Sequence, residues 1–148
     1  MAKIKAFKVR LSNTAEDSYR QLVKQANPHI ERGESEHPHV KALRLVDECL
    51  DKIIPHDPFS KDRALTGAFS NVFRVKKGRV RICYIGSSKA YEIVVLYISD
   101  TLRKAGDKRD PYTIFSSLVM SGQYDQIFDA LGVKRPPRKG KLQAPDLQ

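Results

Sequence analysis

The chain has 148 residues, long enough for one domain with a real core, and 41% of them are hydrophobic and 8% aromatic. A net charge of +10 and a pI near 9.7 argue for an anionic partner, most often nucleic acid. No segment approaches the ~18 continuous apolar residues of a membrane span. The basic N-terminus MAKIKAFKVRLS also lacks the apolar core of a signal peptide, so a cytoplasmic protein without membrane contact is expected.

Residues 4–11 (IKAFKVRL) alternate imperfectly and predict a first strand with Phe7 and Val9 toward the core. Ser12, Asn13 and Thr14 form a capping cluster, with Asp17 three positions after Thr14. A helix over residues 15–26 carries Tyr19, Leu22, Val23 and Ala26 at helical spacing, and Asn27-Pro28 predicts its end. Residues 29–39 (HIERGESEHPH) are polar and charged. From 40 to 54, Val40, Leu43, Val46, Leu50, Ile53 and Ile54 give a second amphipathic helix, broken by Pro55. Two such helices after a strand predict an antiparallel pair over one sheet face. A loop is expected over residues 56–67.

Residues 71–84 (NVFRVKKGRVRICY) hold two runs of alternating apolar and basic residues joined at Lys77-Gly78. Alternation sets Phe73, Val75, Val80, Ile82 and Tyr84 on one face and Arg74, Lys76, Arg79 and Arg81 on the other. Glycine supplies the positive φ of a tight hairpin turn. A two-residue loop would set Lys76 against Arg79 and Arg74 against Arg81; a glycine bulge would change that register. Like charges directly opposite destabilise a sheet, and no acidic residue lies between Arg74 and Arg81. A solvated outer face is the alternative, but such faces usually interleave both signs. The pattern reads as a phosphate-binding platform.

An almost wholly apolar strand over residues 91–98 precedes a basic, glycine-containing loop over 101–109. Asp110-Pro111 is a helix start, because aspartate caps and proline suits the first helical position. Tyr112, Phe115, Leu118 and Val119 supply its packing face, Gly122 ends it, and a short helix over 124–131 follows. Residues 1–133 form one domain. The tail at 134–148 (KRPPRKGKLQAPDLQ) is rich in proline and basic residues and is expected to be disordered.

Cys49 and Cys83 read as core-filling thiols, and no C-x-x-C spacing is present. His37-x-His39, with His29 and Glu36 nearby, fits no common zinc pattern. Neither a Ser–His–Asp arrangement nor a glycine-rich phosphate loop occurs. No metal or cofactor is expected. What remains is cationic: beyond the hairpin come Arg103, Lys104, Lys108 and Arg109, with Asp107, Asp110 and Tyr112 close in sequence. Cutting RNA without a metal requires deprotonating a 2′-hydroxyl, stabilising charge on phosphorus and protonating the leaving 5′-oxygen. Arginine forks match phosphate oxygens. A lysine or tyrosine crowded by cations has its pKa lowered and could move protons. For residues 103–109 the alternative is a solvated loop, and for Tyr112 a packing role.

Residues 101–116, TLRKAGDKRDPYTIFS, resemble the signature of the YhaV family of bacterial toxins, within the wider RelE/ParE group of toxin–antitoxin modules. The positions that carry the likeness are Thr101, Leu102, Arg103, Gly106, Lys108, Asp110, Tyr112, Thr113, Phe115 and Ser116. Upstream, GRVRICY at 78–84 is similar to the family's G-x-x-R-φ-x-φ strand. The likeness covers residues 71 to 122; Pro111 departs from it and the histidines at 29–39 have no counterpart in it.

This resemblance implies an α+β fold, a small twisted antiparallel sheet with two N-terminal helices on one face and C-terminal helices beside it. It implies a ribosome-associated endoribonuclease that cuts mRNA. Carried over by position, Arg74 and Lys76 match the basic pair of the second strand, Arg81 the third-strand arginine and Arg103 the arginine after the last strand. Tyr112 stands near the functional tyrosine of some RelE-like nucleases. On this reading Arg74, Lys76, Arg81 and Arg103 grip the scissile phosphate, and Lys76, Lys108 or Tyr112 move the protons. Lys77, Arg79, Lys104 and Arg109 hold RNA farther out. The implied partners are mRNA, the ribosome and a cognate antitoxin of the swapped-hairpin AbrB type, with operator DNA met only through the antitoxin complex. Two competitors are a gyrase-poisoning toxin of the same fold group and a non-catalytic RNA- or ribosome-binding module.

Overall fold

Four strands and four helices carry the architecture of the computed structural model, which describes residues 6–100 and 111–137. In chain order they are β1 (Lys8–Leu11), α1 (Asn13–Glu31), α2 (Pro38–Glu48), β2 (Phe73–Lys77), β3 (Val80–Ser87), β4 (Glu92–Ser99), α3 (Pro111–Met120) and α4 (Asp125–Leu131). The expected α+β class holds. The sheet order is β1-β4-β3-β2, with β2, β3 and β4 antiparallel and β1 parallel to β4. The sheet is therefore mixed. A helical crossover, and no hairpin, joins β1 to the rest, so a tight turn does not dictate its direction.

Ser12 caps α1, its Oγ accepting from the Ala15 N–H at 3.1 Å. The helix runs past its predicted end at Asn27-Pro28, because Pro28 falls in the last turn and forfeits a single intrahelical bond there. Its partner α2 starts earlier than the apolar pattern shows. Pro38 takes the first turn, where its missing N–H is harmless, and the His37 side chain caps by accepting from the His39 N–H at 3.1 Å. Cys49–Ile53 then widens into a π turn, with the Ile54 N–H reaching the Cys49 carbonyl at 2.9 Å.

Both faces of the sheet are covered. Helices α1 and α2 bury Leu22, Ala26, Val40 and Val46 against Val75, Ile82, Tyr84 and Ile93. On the other face Phe115, Tyr124 and Phe128 pack over Cys83, Ile85, Val94 and Leu96. Burying each such phenylalanine is worth roughly 1.5–3 kcal/mol. Both cysteines are free and buried, as expected of packing thiols; burial pushes the Cys49 thiol up to about 11 and that of Cys83 to about 12.

A bulge interrupts the pairing of β3 with β4: Cys83 faces Tyr97 and Tyr84 faces Val95, so Leu96 is the extra residue. Three hydroxyls converge on the Leu96 carbonyl, from Ser12 at 2.8 Å, Thr14 at 3.0 Å and Tyr124 at 2.9 Å. The start of α1, the last strand and the start of α4 are thereby tied at one atom. Beyond α4, Arg135 pairs with Asp129 and Asp125, and the Asn71 side chain donates to the Lys134 carbonyl at 3.2 Å. Lys134 and Arg135, at the start of the tail expected to be disordered over 134–148, thus touch the domain; residues 138–148 lie outside the described residues.

Candidate active site

The β2–β3 hairpin forms where alternation placed it, one register step away from the pairing a loop at Lys77-Gly78 would give. Gly78 and Arg79 make the turn, and Lys76 pairs with Arg81, Arg74 with Cys83, and Lys77 with Val80. Gly78 takes φ +55, the left-handed conformation open to glycine at the first central position of such turns. Arg74, Lys76 and Arg81 therefore share the face that carries Cys83, as expected. Arg79 leaves that face for the turn, where its Nε donates to the Asp100 carbonyl at 3.1 Å. Lys77 points to the helical side and meets Glu48 of α2 at 3.3 Å.

Arg74 and Tyr112 meet directly. Arg74 Nη1 donates to the Tyr112 hydroxyl at 2.9 Å, and its guanidinium carbon lies 5.6 Å from the ring centroid. Tyr112 stands in the first turn of α3 with its ring buried. Burial raises the Tyr112 pKa, and the Arg74 charge offsets this only in part. The pKa lowering expected from crowding cations is thus reversed. Tyr112 keeps its proton at neutral pH and is suited to donating one.

Arg81 is 7% exposed, and its Nη1 donates to the carbonyls of Gly78 at 2.7 Å and Val80 at 2.9 Å. It braces the hairpin turn from below. Lys76, by contrast, is exposed, and among the described residues no carboxylate lies within ion-pair distance of it. Arg103, Lys104, Lys108 and Arg109 lie outside the described residues.

A groove follows the outer edge of β2. Arg74, Lys76 and Lys77 of β2 line it together with Ile53, Asp62 and Arg63. A 3₁₀ turn (Lys61–Arg63) supplies Asp62 and Arg63 and is clipped to the sheet by the Ala64–Phe73 bridge and a 2.9 Å bond from Leu65 N–H to Val72 C=O. Arg63 holds the turn from behind through the Asp57 carbonyl and carboxylate. Among the described residues no group of three His, Cys, Asp or Glu side chains is placed to hold a metal ion. No helix in the described residues is long and apolar enough to cross a membrane.

Comparison with known families adds the identity of this hairpin and its surroundings. The profile of the YhaV toxin family, described as a toxin with endonuclease activity, of a toxin–antitoxin system, matches residues 6–135. The chain belongs to the YhaV toxin family. Among solved structures, it is similar to a chain of the RelBE2 toxin–antitoxin complex from Mycobacterium tuberculosis, at 18% identity and a TM-score of 0.48. That alignment covers 67% of this chain and 95% of the other. It is also similar to the isolated RelE toxin of E. coli, at 14% identity and a TM-score of 0.41, covering 78% of this chain and 98% of that one. No curated protein matches.

The YhaV match extends well upstream of the segment whose residues carried the resemblance, taking in the helical pair and the 3₁₀ turn. Sequence reading passed over Asp62 and Arg63, placing them in an undifferentiated loop. The available signal was Phe69, Val72 and Leu65, three apolar residues close behind the turn, all buried here and holding it to the sheet.

Proposed function

We propose that this YhaV toxin is an endoribonuclease that cuts mRNA through attack of the 2′-hydroxyl on the adjacent phosphorus, in association with the ribosome. The observation that carries the reading is the contact of Arg74 with Tyr112 beside the exposed Lys76. The arrangement sets a held guanidinium next to a tyrosine that holds its proton at neutral pH. Arg74 and Lys76 take up charge on the pentacoordinate phosphorus, and the guanidinium held by Tyr112 needs little reorganisation when that charge develops. Tyr112 or Lys76 protonates the departing 5′-oxygen. Arg81 acts by fixing the turn that carries Lys76 and Lys77. Arg103 and Lys108 join the phosphate grip and the proton transfer, and Lys104 and Arg109 bind flanking RNA. The reading requires no metal, since the cations supply the electrostatic role a metal would take, and the products are a 2′,3′-cyclic phosphate and a 5′-hydroxyl.

As the toxin of a toxin–antitoxin system the chain has an antitoxin partner. We infer one of the swapped-hairpin AbrB type, reaching operator DNA only as the complex, with the toxin acting on translation in the cytoplasm. The test is to incubate the purified chain with mRNA in magnesium buffer, with and without translating ribosomes, and to map the new 5′ ends and the chemistry of both termini. Cuts that need ribosomes and leave cyclic phosphate ends support the proposal. Intact RNA in both reactions, or cuts that leave a 3′-hydroxyl and a 5′-phosphate, overturns it.

A further inference from the structure

Within the ribonuclease reading, the proton acceptor has no assigned residue among the described ones. The groups on the β2 face do not fill it. Arg74 and Arg81 are guanidinium groups, which do not deprotonate in proteins. An ammonium offers donors and no acceptor, and Tyr112 holds its proton because its ring is buried. Among the described residues no histidine lines the groove, and Asp62 is the one carboxylate that does.

We infer that Asp62 is the general base of the reaction, taking the 2′-hydroxyl proton of an RNA strand laid along the outer edge of β2. Two observations support the assignment independently of that elimination. The 3₁₀ turn carrying Asp62 is held in place at three points, by the Ala64–Phe73 bridge, by the Leu65–Val72 bond and by the clasp of Arg63 on Asp57. A catalytic group needs such fixed placement. The second is the state of the carboxylate itself. It shares a groove with Arg63, Arg74, Lys76 and Lys77, yet among the described residues none of these comes within ion-pair distance of it. Its lone pairs are left to an incoming hydroxyl.

The step balances without any further reactant. The 2′-O–H bond breaks and its proton passes to an Asp62 carboxylate oxygen. The 2′-oxygen then forms a bond to phosphorus and the P–O5′ bond breaks. The 5′-oxygen takes a proton from Tyr112 or Lys76. Arg74, which lines the same groove as Asp62 and donates to Tyr112, takes up the phosphoryl charge as it develops.

The assignment rests on the ribonuclease reading, so the experiment runs wild type and variants of the full chain side by side on ribosome-bound mRNA. Single-turnover cleavage is followed against pH, and binding is measured with a strand carrying a 2′-deoxy nucleotide at the cut. Asp62→Asn is expected to bind that strand as tightly as wild type, or up to about threefold tighter, and to cleave about 100-fold more slowly. The acid limb of its pH–rate profile should disappear. Asp62→Glu should retain part of the rate, which a residue serving only to shape the turn would not predict. An Asp62→Asn chain that binds more tightly and cuts at the wild-type rate would show that Asp62 merely repels phosphate, and would overturn the assignment while leaving the nuclease intact. Uncut RNA with the wild-type chain would instead remove the ribonuclease reading itself.

Discussion

Arg74 of β2 and Tyr112 of α3 are 38 positions apart in the chain, and the guanidinium of one donates to the hydroxyl of the other at 2.9 Å. The bond couples the edge of the sheet to the first turn of α3. Tyr112→Phe removes the hydroxyl and keeps the ring. We expect cleavage to fall by about 100-fold, the size of a lost proton donor. Stability should change by no more than about 1 kcal/mol, since the bond with Arg74 goes and the packing stays. Single-turnover cleavage and urea unfolding on the same preparation separate the two effects.

Lys76 is exposed and opposes Arg81 in the strand register, so its removal relieves repulsion and empties no core space. Lys76→Ala should leave the fold within about 0.5 kcal/mol of wild type. RNA affinity should drop evenly across sequences, and the slope of log affinity against log salt should shrink by about 1. Binding titrations over a salt series give that slope directly.

Arg81 behaves differently although it is also a cation of this face. Its Nη1 serves the Gly78 and Val80 carbonyls beneath the turn. Arg81→Ala should cost roughly 2 kcal/mol, the range for charge-assisted bonds to buried partners. Arg81→Lys, which keeps the charge and loses the planar fork, should fall between. Chemical denaturation reports both, and toxicity lost in Arg81→Ala is to be judged against the measured fraction folded.

Gly86 tests how closely β3 is covered. A Cβ there would lie 2.5 Å from Ile93 Cδ1 and 2.8 Å from the Phe59 ring. Gly86→Ala should destabilise by about 1–3 kcal/mol through overpacking. Thermal melting would show it, and Gly33→Ala offers a contrast, with open space around the added methyl and a φ of +74 as its sole obstacle.

The histidines at the α1–α2 junction predict a pH response. The rings of His29 and His37 stack at 3.4 Å between centroids, and His39 lies 5.0 Å from His37. Burial, then the charges of His29 and His39, lowers the His37 pKa from 6.5; Glu34 opposes this and Arg32 adds to it. The folded chain therefore favours neutral His37, and the unfolded chain binds more protons just below pH 6.5. The contribution is whole above that pH and is lost as pH falls through the lowered folded value. Protonation at Nδ1 would also abolish the cap that accepts from the His39 N–H. Unfolding midpoints measured on either side of pH 6.5 should differ in wild type and converge in His37→Gln.

Much of this was legible in the chain because period and punctuation agree there. Alternation in residues 73–84 placed Arg74, Lys76 and Arg81 on one face, and Asp110-Pro111 marked where α3 begins. The register was not legible. Gly78 can occupy either central position of a turn, and moving it by one reassigns every cross-strand pair. Pro28 and Pro38 misled in opposite ways, since proline is tolerated near helix ends by geometry that spacing alone does not reveal. The burial that lifts the Tyr112 pKa and seats Arg81 against carbonyls is tertiary, made by contacts no local pattern encodes. Asp62 stayed hidden for the same reason: its neighbours in the groove come from β2 and the π turn.

The three hydroxyls gathered on the Leu96 carbonyl bear on how the molecule is made. Ser12 and Thr14 reach that atom across 84 and 82 positions, and Thr14 meets the Tyr124 hydroxyl at 2.8 Å across 110. Loops of that length close slowly, and their contacts contribute only after the closure entropy has been overcome. During synthesis the first helix emerges long before its sheet partner and longer still before Tyr124. The helical pair can form early while the knot at Leu96 waits for the far end of the chain. A nascent toxin thus stays unfinished until Tyr124 has been translated, and the interval before that knot closes is the time in which a partner can meet it unarmed.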